Sequence, residues 1–170
     1  MMALSHPALL RNQAFINGRW ADARHGSTFA VTNPATGQLI GNAPDMDAGD
    51  ARLAVEAAQA AGTSWKALTA AERAARLRTW YDLQLQHLED LALLLTMEQG
   101  KPLAEARSEV RYGASFVEWF AEEAKRAYGE VIPGHGTDKR IVTLRQPVGV
   151  VAAITPWNFL NAMITRKVAP

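Results

Sequence analysis

Cysteine is absent from this sequence of 170 residues. Its absence excludes disulfide bonds, thiolate metal ligands and a cysteine nucleophile within these residues. A cytoplasmic location is compatible with this composition and is the one we predict. The four histidines, His6, His25, His87 and His135, stand far apart in the sequence and lack the spacing of metal ligands, so no metal site is predicted.

An excess of charge of one sign is also absent, because 18 basic residues face 17 acidic ones, for a formal net charge of +1. Such a balance gives no reason to expect a nucleic acid or an anionic membrane as a partner. Residues 146–165 carry no charge over a length that can cross a bilayer. However, Pro147, Pro156 and Asn158 interrupt this stretch, and a buried strand followed by a loop is the better interpretation. Residues 1–13 contain no sustained apolar run, so no secretory signal is predicted.

The composition that is present, 48% hydrophobic and 21% charged residues, is typical of a folded globular protein. Residues 14–44 alternate short apolar segments with turn signals, which predicts a small antiparallel β meander. Asn17-Gly18 is a typical two-residue hairpin turn, and Asn33-Pro34-Ala35-Thr36-Gly37 predicts another turn.

The middle of the chain has the periodicity of helices. The first helix is predicted to begin at the capping residue Asp47 and to end at Gly62. A second helix begins at Thr69, in a capping-box pattern, and ends at Gly100. A third, over residues 103–127, has one apolar face and acidic residues that we expect to be mostly solvated, namely Glu105, Glu109, Glu118 and Glu122.

The last part of the chain changes to β character. A half-exposed strand is predicted over residues 140–145, and the almost continuous apolar run 148–154 predicts a central parallel strand covered on both faces. Helices followed by such a strand indicate the α/β class. We predict four parts: an amino-terminal extension, 1–13; the β meander and helical layer, 14–127; a loop and strand, 128–146; and the first strand of a Rossmann-like cofactor domain with the start of the next helix, 147–170.

The loop after that strand, Thr155-Pro156-Trp157-Asn158-Phe159, is the first candidate site, because ligands bind at the carboxyl ends of strands in open α/β sheets. We expect Trp157 and Asn158 at the mouth of a pocket. The amide of Asn158 can donate a hydrogen bond to a developing oxyanion, which is worth about a hundred- to thousand-fold in rate. A turn residue that satisfies backbone groups is the alternative explanation, and both stay open at this point.

The next residues, 162–167, predict a helix that follows the turn. Phe159, Met163 and Arg166 share one face at helical spacing. Two apolar groups beside a guanidinium suit a short substrate with an apolar body and a terminal carboxylate. An exposed arginine without a ligand is the alternative for Arg166, and the same alternative applies to Lys167.

Several of these stretches resemble motifs of the aldehyde dehydrogenase superfamily, in particular of its succinate- and glutarate-semialdehyde dehydrogenase branch. The motifs are Ile154-Thr155-Pro156-Trp157-Asn158-Phe159, Ala162-Met163-Ile164-Thr165-Arg166-Lys167, Phe15-Ile16-Asn17-Gly18, Asn33-Pro34-Ala35-Thr36-Gly37, Glu98-Gln99-Gly100-Lys101-Pro102-Leu103 and Ser115-Phe116-Val117-Glu118-Trp119-Phe120-Ala121-Glu122-Glu123. The likeness extends from about residue 14 to the last residue and corresponds to the amino-terminal part of such an enzyme.

The resemblance implies that a semialdehyde, with succinate semialdehyde favoured over glutarate semialdehyde, is oxidised to the acid with NAD or NADP through a cysteine thiohemiacetal. It implies that Asn158 donates to the oxyanion and that Lys167 supports the active site without touching the substrate. Phe159 and Met163 would line the aldehyde channel, and Arg166 would bind the substrate carboxylate. The nicotinamide side of the cofactor would lie along Ile154, Thr155, Pro156, Trp157 and Asn158. The family further implies a homo-oligomer to which residues 139–146 contribute.

The sequence departs from the family pattern in two ways. Leu160 stands where the family usually has proline, which leaves the backbone after Asn158 less fixed. The family's nucleophilic cysteine and general-base glutamate have no counterpart here, so we expect the chain to be the front portion of a longer enzyme and inactive alone. A non-catalytic interaction module and a gene remnant are the alternatives.

Overall fold

A computed structural model describes residues 4–170, so residues 1–3 of the predicted extension lie outside the described part of the chain. The fold is of the mixed α/β type that the sequence predicts. Its strands are β1 (Ala14–Ile16), β2 (Arg19–Ala21), β3 (Thr28–Thr32), β4 (Leu39–Pro44), β5 (Val131–Pro133) and β6 (Arg140–Val142). Its α-helices are α1 (Ala48–Ala67), α2 (Ala70–Gln86), α3 (Leu88–Gln99), α4 (Leu103–Glu123) and α5 (Leu160–Val168).

The predicted hairpins form, but they do not join into one meander. Strands β1 and β2 pair across Asn17-Gly18, whose φ angles of 50° and 74° suit a tight hairpin turn. Strands β3 and β4 form a second, separate antiparallel pair, so the single-meander prediction is wrong. The reason lies between the pairs, where Arg24 turns toward the start of α1 and its Nε lies 3.2 Å from an Asp50 carboxylate oxygen.

Helix α1 begins as predicted and continues further. Asp47 is its N-cap and forms a capping box with Asp50. The predicted end at Gly62 is wrong, because the helix runs through this residue to Ala67. A glycine inside a helix costs only about 1 kcal/mol relative to alanine, which the alanine-rich residues around it offset.

The second predicted helix is two helices in the structure. Thr69 and Glu72 form the expected capping box at the start of α2, and Gly100, with φ 71°, ends α3 as predicted. Between them, His87 leaves the helical conformation, with φ −102° and ψ 20°. This break, which the sequence analysis missed, turns the apolar face of α3 toward α4 through Leu88, Ala92 and Leu95.

Helix α4 is the centre of the helical layer. It packs on α2, α3 and α5 through the predicted face. Four residues of that face are buried, namely Ala106, Val110, Gly113 and Val117. Because three helices contact this one face, α4 fixes where α5 and the preceding turn lie.

The region after α4 is less regular than predicted. Strand β5 lies where a loop is expected, and it pairs with β6, which ends at Val142 instead of at residue 145. Beyond Val142, the amide of Thr143 donates to the carbonyl of Glu130 at 2.9 Å, and the Thr143 hydroxyl accepts from the Glu130 amide at 2.8 Å. Every residue of both strands is exposed.

The predicted central strand does not form among residues 4–170. Residues 148–154 pair with no strand in this part of the chain, and Val148 is 93% exposed. A strand obtains its hydrogen bonds from a neighbouring strand, and none lies beside this segment in the described part. The helix predicted over 162–167 is confirmed as α5. Within residues 4–170, no helix is both long and apolar enough to cross a membrane.

Candidate active site

The loop that carries Trp157 and Asn158 lies on the exterior of the molecule. Ile154 is 89% exposed, Trp157 is 84% exposed and Asn158 is also exposed. A cavity of about 1210 Å³ lies between the end of α1 and residues 146–151. Another, of about 540 Å³, has Trp65, Phe120 and Val168 in its wall. Neither is lined by Trp157 or Asn158, so the structure does not confirm the predicted pocket at this loop.

The backbone of the loop is nevertheless held by side chains from the end of α3. The side-chain amide of Gln99 donates a hydrogen bond to the carbonyl oxygen of Trp157. The ammonium of Lys101 lies 4.2 Å from the centre of the Phe159 ring. Phe159 has φ 50° and ψ 46°, a left-handed conformation that is rare for a bulky residue and persists only where the surroundings impose it.

A buried carboxylate connects this loop to the helical layer. Glu109 of α4 is 3% exposed, so the expectation that it is solvated is wrong. It accepts a hydrogen bond of 3.1 Å from the backbone N–H of Asn161 and forms an ion pair with Lys101. The amides of a helix's first turn have no partner within the helix, so Glu109 satisfies one of them for α5. Its position between Ala106 and Gly113 on the buried face was the available sequence signal.

The side chain of Asn161 fastens α5 to the other helices. Its Nδ2 donates to Oε1 of Gln84 at 3.2 Å and to the carbonyl oxygen of Val110 at 3.4 Å. Gly113 allows this close approach, because a Cβ at that position would overlap the Asn161 amide and lie 3.2 Å from its backbone carbon. The start of α5 therefore depends on a glycine in the middle of α4.

Leu160, the departure from the family's proline, has a packing role. It is the first residue of α5, and its side chain packs against the core cluster that contains Leu88 and Val110. The fixed backbone that a proline would give here is thus replaced by an apolar contact with α3 and α4.

Arg166 and Met163 come together as predicted. The guanidinium of Arg166 lies 4.0 Å from the sulfur of Met163 and 5.2 Å from the centre of the Phe116 ring. Tyr112 packs edge-on against Phe116, with ring centres 4.8 Å apart. The sequence analysis assigned no role to these two aromatic residues, although their i, i+4 spacing on α4 predicts that they meet. Lys167 is exposed, and its supporting role stays a prediction.

A second cluster of polar side chains lies away from the loop. His6, His87 and Asp90 offer ligand atoms within 4.8 Å of one another, so they are the residues in the described part that could hold a metal ion. Their sequence spacing did not reveal this. The Asp90 carboxylate, however, already accepts bonds of 2.8 Å from the backbone amides of Ser5 and His6. Burial raises the pKa of Asp90, but these bonds, together with the hydrogen bond and charge of the His6 ring, outweigh it and lower the pKa. The cluster fastens the amino-terminal extension to α3.

Comparisons with known proteins agree with the resemblance. A family model described as "Aldehyde dehydrogenase family" matches residues 20–170. The chain is 59% identical over 169 residues to a glutarate-semialdehyde dehydrogenase of Pseudomonas putida, covering 99% of this chain and 35% of the relative. It is 57% identical over 169 residues to the NADP(+) succinate-semialdehyde dehydrogenase of Escherichia coli K12, with the same coverage, 99% and 35%.

A solved structure matches equally well. The crystal structure of succinate-semialdehyde dehydrogenase from Burkholderia pseudomallei superposes with a TM-score of 0.96 at 54% identity, covering 99% of this chain and 35% of that one. The chain thus spans about a third of the length of the relatives it matches.

Proposed function

This chain belongs to the aldehyde dehydrogenase family, and on that premise we propose that it is the amino-terminal part of an enzyme that oxidises a semialdehyde to the carboxylic acid. The observation that carries the proposal is the identity, over 169 residues, to two dehydrogenases named for semialdehydes. Succinate semialdehyde is the substrate that we favour, with glutarate semialdehyde as its longer analogue.

The exposed amide of Asn158 is the proposed donor to the oxyanion of the reacting aldehyde. A neutral amide stabilises a developing negative charge without titrating, and one such donor contributes about a hundred- to thousand-fold to the rate. The thiol nucleophile that the family uses is not among these 170 residues. We therefore propose that this chain contributes the oxyanion donor but does not turn over substrate alone.

Substrate recognition is proposed to rest on Arg166. Its guanidinium is stacked over the Phe116 ring and beside the sulfur of Met163. A guanidinium held in this way binds a carboxylate through two parallel hydrogen bonds, while the apolar side chains contact the methylene groups of the substrate. Phe159 and Met163 are the proposed lining of the aldehyde channel, and Lys167 its support from outside the channel.

Residues 154–158 are the proposed support for the nicotinamide of NAD or NADP. Ile154 and Trp157 are almost fully exposed, so their apolar surfaces are free to lie along a planar ring. These residues would hold the nicotinamide, and the chemistry that it would supply there is acceptance of a hydride, a hydrogen with two electrons.

Assembly into a homo-oligomer through residues 139–146 is also part of the proposal, as is a cytoplasmic location. In support of the assembly, β5 and β6 form a two-stranded sheet with exposed side chains, and Val131 is 72% exposed. An unpaired strand edge offers hydrogen bonds to a second chain.

A chimera tests the proposed activity. Residues 1–170 replace the matching part of the Pseudomonas putida relative, and oxidation of succinate and glutarate semialdehyde is measured with NAD+ and with NADP+. We expect turnover by the chimera and none by the 170-residue chain. Asn158→Ala should lower kcat by about a hundred- to thousand-fold. Arg166→Ala should raise KM for both semialdehydes and leave KM for butanal unchanged.

Two results would contradict the proposal. One is an inactive chimera under conditions in which the unaltered relative is active. The other is turnover by the isolated chain. If the isolated chain assembles into a defined oligomer by light scattering while the chimera is inactive, the interaction module becomes the better explanation.

A further inference from the structure

We propose that Glu109 and Lys101 are positioning residues that hold the turn carrying Asn158 in its reactive geometry. This inference rests on the proposed function, because it gives a purpose to the geometry around Asn158. Neither residue touches the aldehyde in this proposal. They act through the backbone and the ring of the residues on either side of Asn158.

The contacts alternate along the turn. The carbonyl of Trp157 is held by Gln99, the ring of Phe159 by Lys101 and the amide of Asn161 by Glu109. Gln99 is the last residue of α3, Lys101 lies between α3 and α4, and Glu109 belongs to α4. Asn158, between the held residues, stays exposed. The turn is therefore fixed on both sides of the side chain that is proposed to donate to the oxyanion.

Stability alone does not explain the buried ion pair between Glu109 and Lys101. The side chain of Glu109 is 1% exposed and that of Lys101 is 16% exposed. Removing two charges from water costs several kcal/mol per ion, and apolar residues of similar volume often stabilise a protein as well or better. What apolar residues cannot do is bind the Asn161 amide and hold an ammonium over the Phe159 ring at the same time.

The left-handed conformation of Phe159 supports the same conclusion. A bulky residue at φ 50° is strained and needs surroundings that enforce this conformation. The ammonium of Lys101 lies against its ring, and Lys101 is itself fixed by Glu109. Without this pair, Phe159 can return to an ordinary conformation, and the Asn158 amide then points elsewhere.

The first test uses the 170-residue chain labelled with ¹⁵N-asparagine. The chain has six asparagines, so its spectrum is sparse. In Glu109→Gln and in Lys101→Met, we expect the Asn158 side-chain amide signals to move and the Asn161 backbone amide to exchange faster. The signals of Asn17, in the β1–β2 turn, and of Asn42, in β4, should stay in place.

Matched variants separate the effect of this pair from a general loss of charge. Glu105→Gln removes an exposed carboxylate one turn earlier on α4 and should leave all six asparagine signals unchanged. Lys101→Arg keeps the positive charge beside Glu109 and Phe159 and should restore the Asn158 signals.

The second test measures kinetics in the chimera described above. Glu109→Gln and Lys101→Met should lower kcat about ten- to a hundredfold, because a small misplacement of a catalytic group has effects of this size. KM should change less than about twofold, since Arg166 and its aromatic support are untouched. Lys101→Arg should recover most of kcat.

Three results would overturn the inference: Asn158 signals that do not move in either variant, all six asparagine signals moving together, or kcat and KM changing in proportion. If the chimera itself is inactive, the proposed function fails, and the asparagine spectra alone decide whether Glu109 and Lys101 position the turn.

Discussion

The helical layer, residues 48–123, and the segment of residues 143–156 are both rich in apolar side chains, yet only the first buries them. Val110 of α4 is completely buried, whereas Val148 is 93% exposed. The residue type is the same, and the difference lies in what surrounds it. A helix makes its hydrogen bonds within itself, so it needs only one apolar neighbour, whereas a strand needs a second strand for its hydrogen bonds.

This comparison shows what an apolar run encodes. The stripe on α4 describes a face that other helices of the same chain cover, and α2, α3 and α5 do so. The continuous run 148–154 describes a strand covered on two faces and paired on its edges. Residues 4–170 supply neither cover nor pairing for it. An apolar pattern in α4 thus determines a structure that this chain forms by itself. An equally clear apolar pattern in residues 148–154 shows only that the segment needs neighbouring elements.

The prediction with the largest expected effect places an aspartate at Val110 in one variant and at Val148 in another. Val110→Asp should abolish cooperative unfolding or lower the free energy of unfolding by more than about 4 kcal/mol, because a carboxyl group enters a packed core. Val148→Asp should change it by less than about 0.5 kcal/mol. Urea unfolding followed by circular dichroism measures both. Equal effects would show that residues 143–156 are buried in solution.

Local signals explain which parts of the fold the sequence analysis predicted correctly. The Asp47 and Thr69 caps, the Asn17-Gly18 turn and the Gly100 stop each involve residues within a few positions of one another. The break at His87 leaves no comparable local signal, because it is set by how α3 packs on α4. The extra length of α1 has a different, local origin, since Gly62 among alanine-rich neighbours disfavours a helix too weakly to end it.

The candidate site divides in the same way. Asn158, Arg166 and Met163 are predicted as site residues because they stand close together in the sequence and match a family motif. Glu109 and Lys101 were missed as site residues, since they reach the turn only when α4 and α5 pack together. Glu109 was expected in solvent because charged residues rarely lie in a core, and its pairing with Lys101 is a tertiary contact.

Alanine substitutions at two helical glycines, Gly113 and Gly62, test how tightly the helical layer is packed. We expect smaller changes in the free energy of unfolding, of opposite sign at the two positions. Gly113→Ala puts a methyl group against Asn161, and such overpacking costs about 1–3 kcal/mol. Replacing a glycine inside a helix gains roughly 1 kcal/mol. Because the cost is at least as large as the gain, Gly113→Ala should not stabilise the protein. Gly62→Ala adds a methyl group in open space in α1 and should stabilise by about 0.5–1 kcal/mol. Thermal and urea unfolding measure both. Stabilisation by both substitutions would mean that α5 does not lie on α4.

The prediction with the smallest expected effect concerns the Asp47 cap of α1. It tests whether contacts between residues close together in the sequence stabilise the helical layer. Hydrogen bonds from the backbone amides of Asp50 and Gly49, with Arg24 beside them, lower the pKa of Asp47 from 3.8 to about 2. A carboxyl group whose pKa is lower in the folded state stabilises above its unfolded pKa, and this contribution disappears as the pH falls through the folded pKa. The cap of α1 should therefore act fully above about pH 4 and weaken toward pH 2.

Two substitutions separate the cap from its charge. At pH 7, Asp47→Ala should lower Tm by a few degrees, and its difference from the unaltered chain should shrink between pH 4 and pH 2. Asn caps helices as well as Asp does but does not titrate, so Asp47→Asn should stay close to the unaltered chain at pH 7 and keep its cap below pH 4. A constant difference for Asp47→Ala across this pH range would show that Asp47 acts through contacts other than its ionised carboxylate. The start of α1 would then depend on tertiary packing, as a strand over residues 148–154 would, and the difference between the two regions would be smaller.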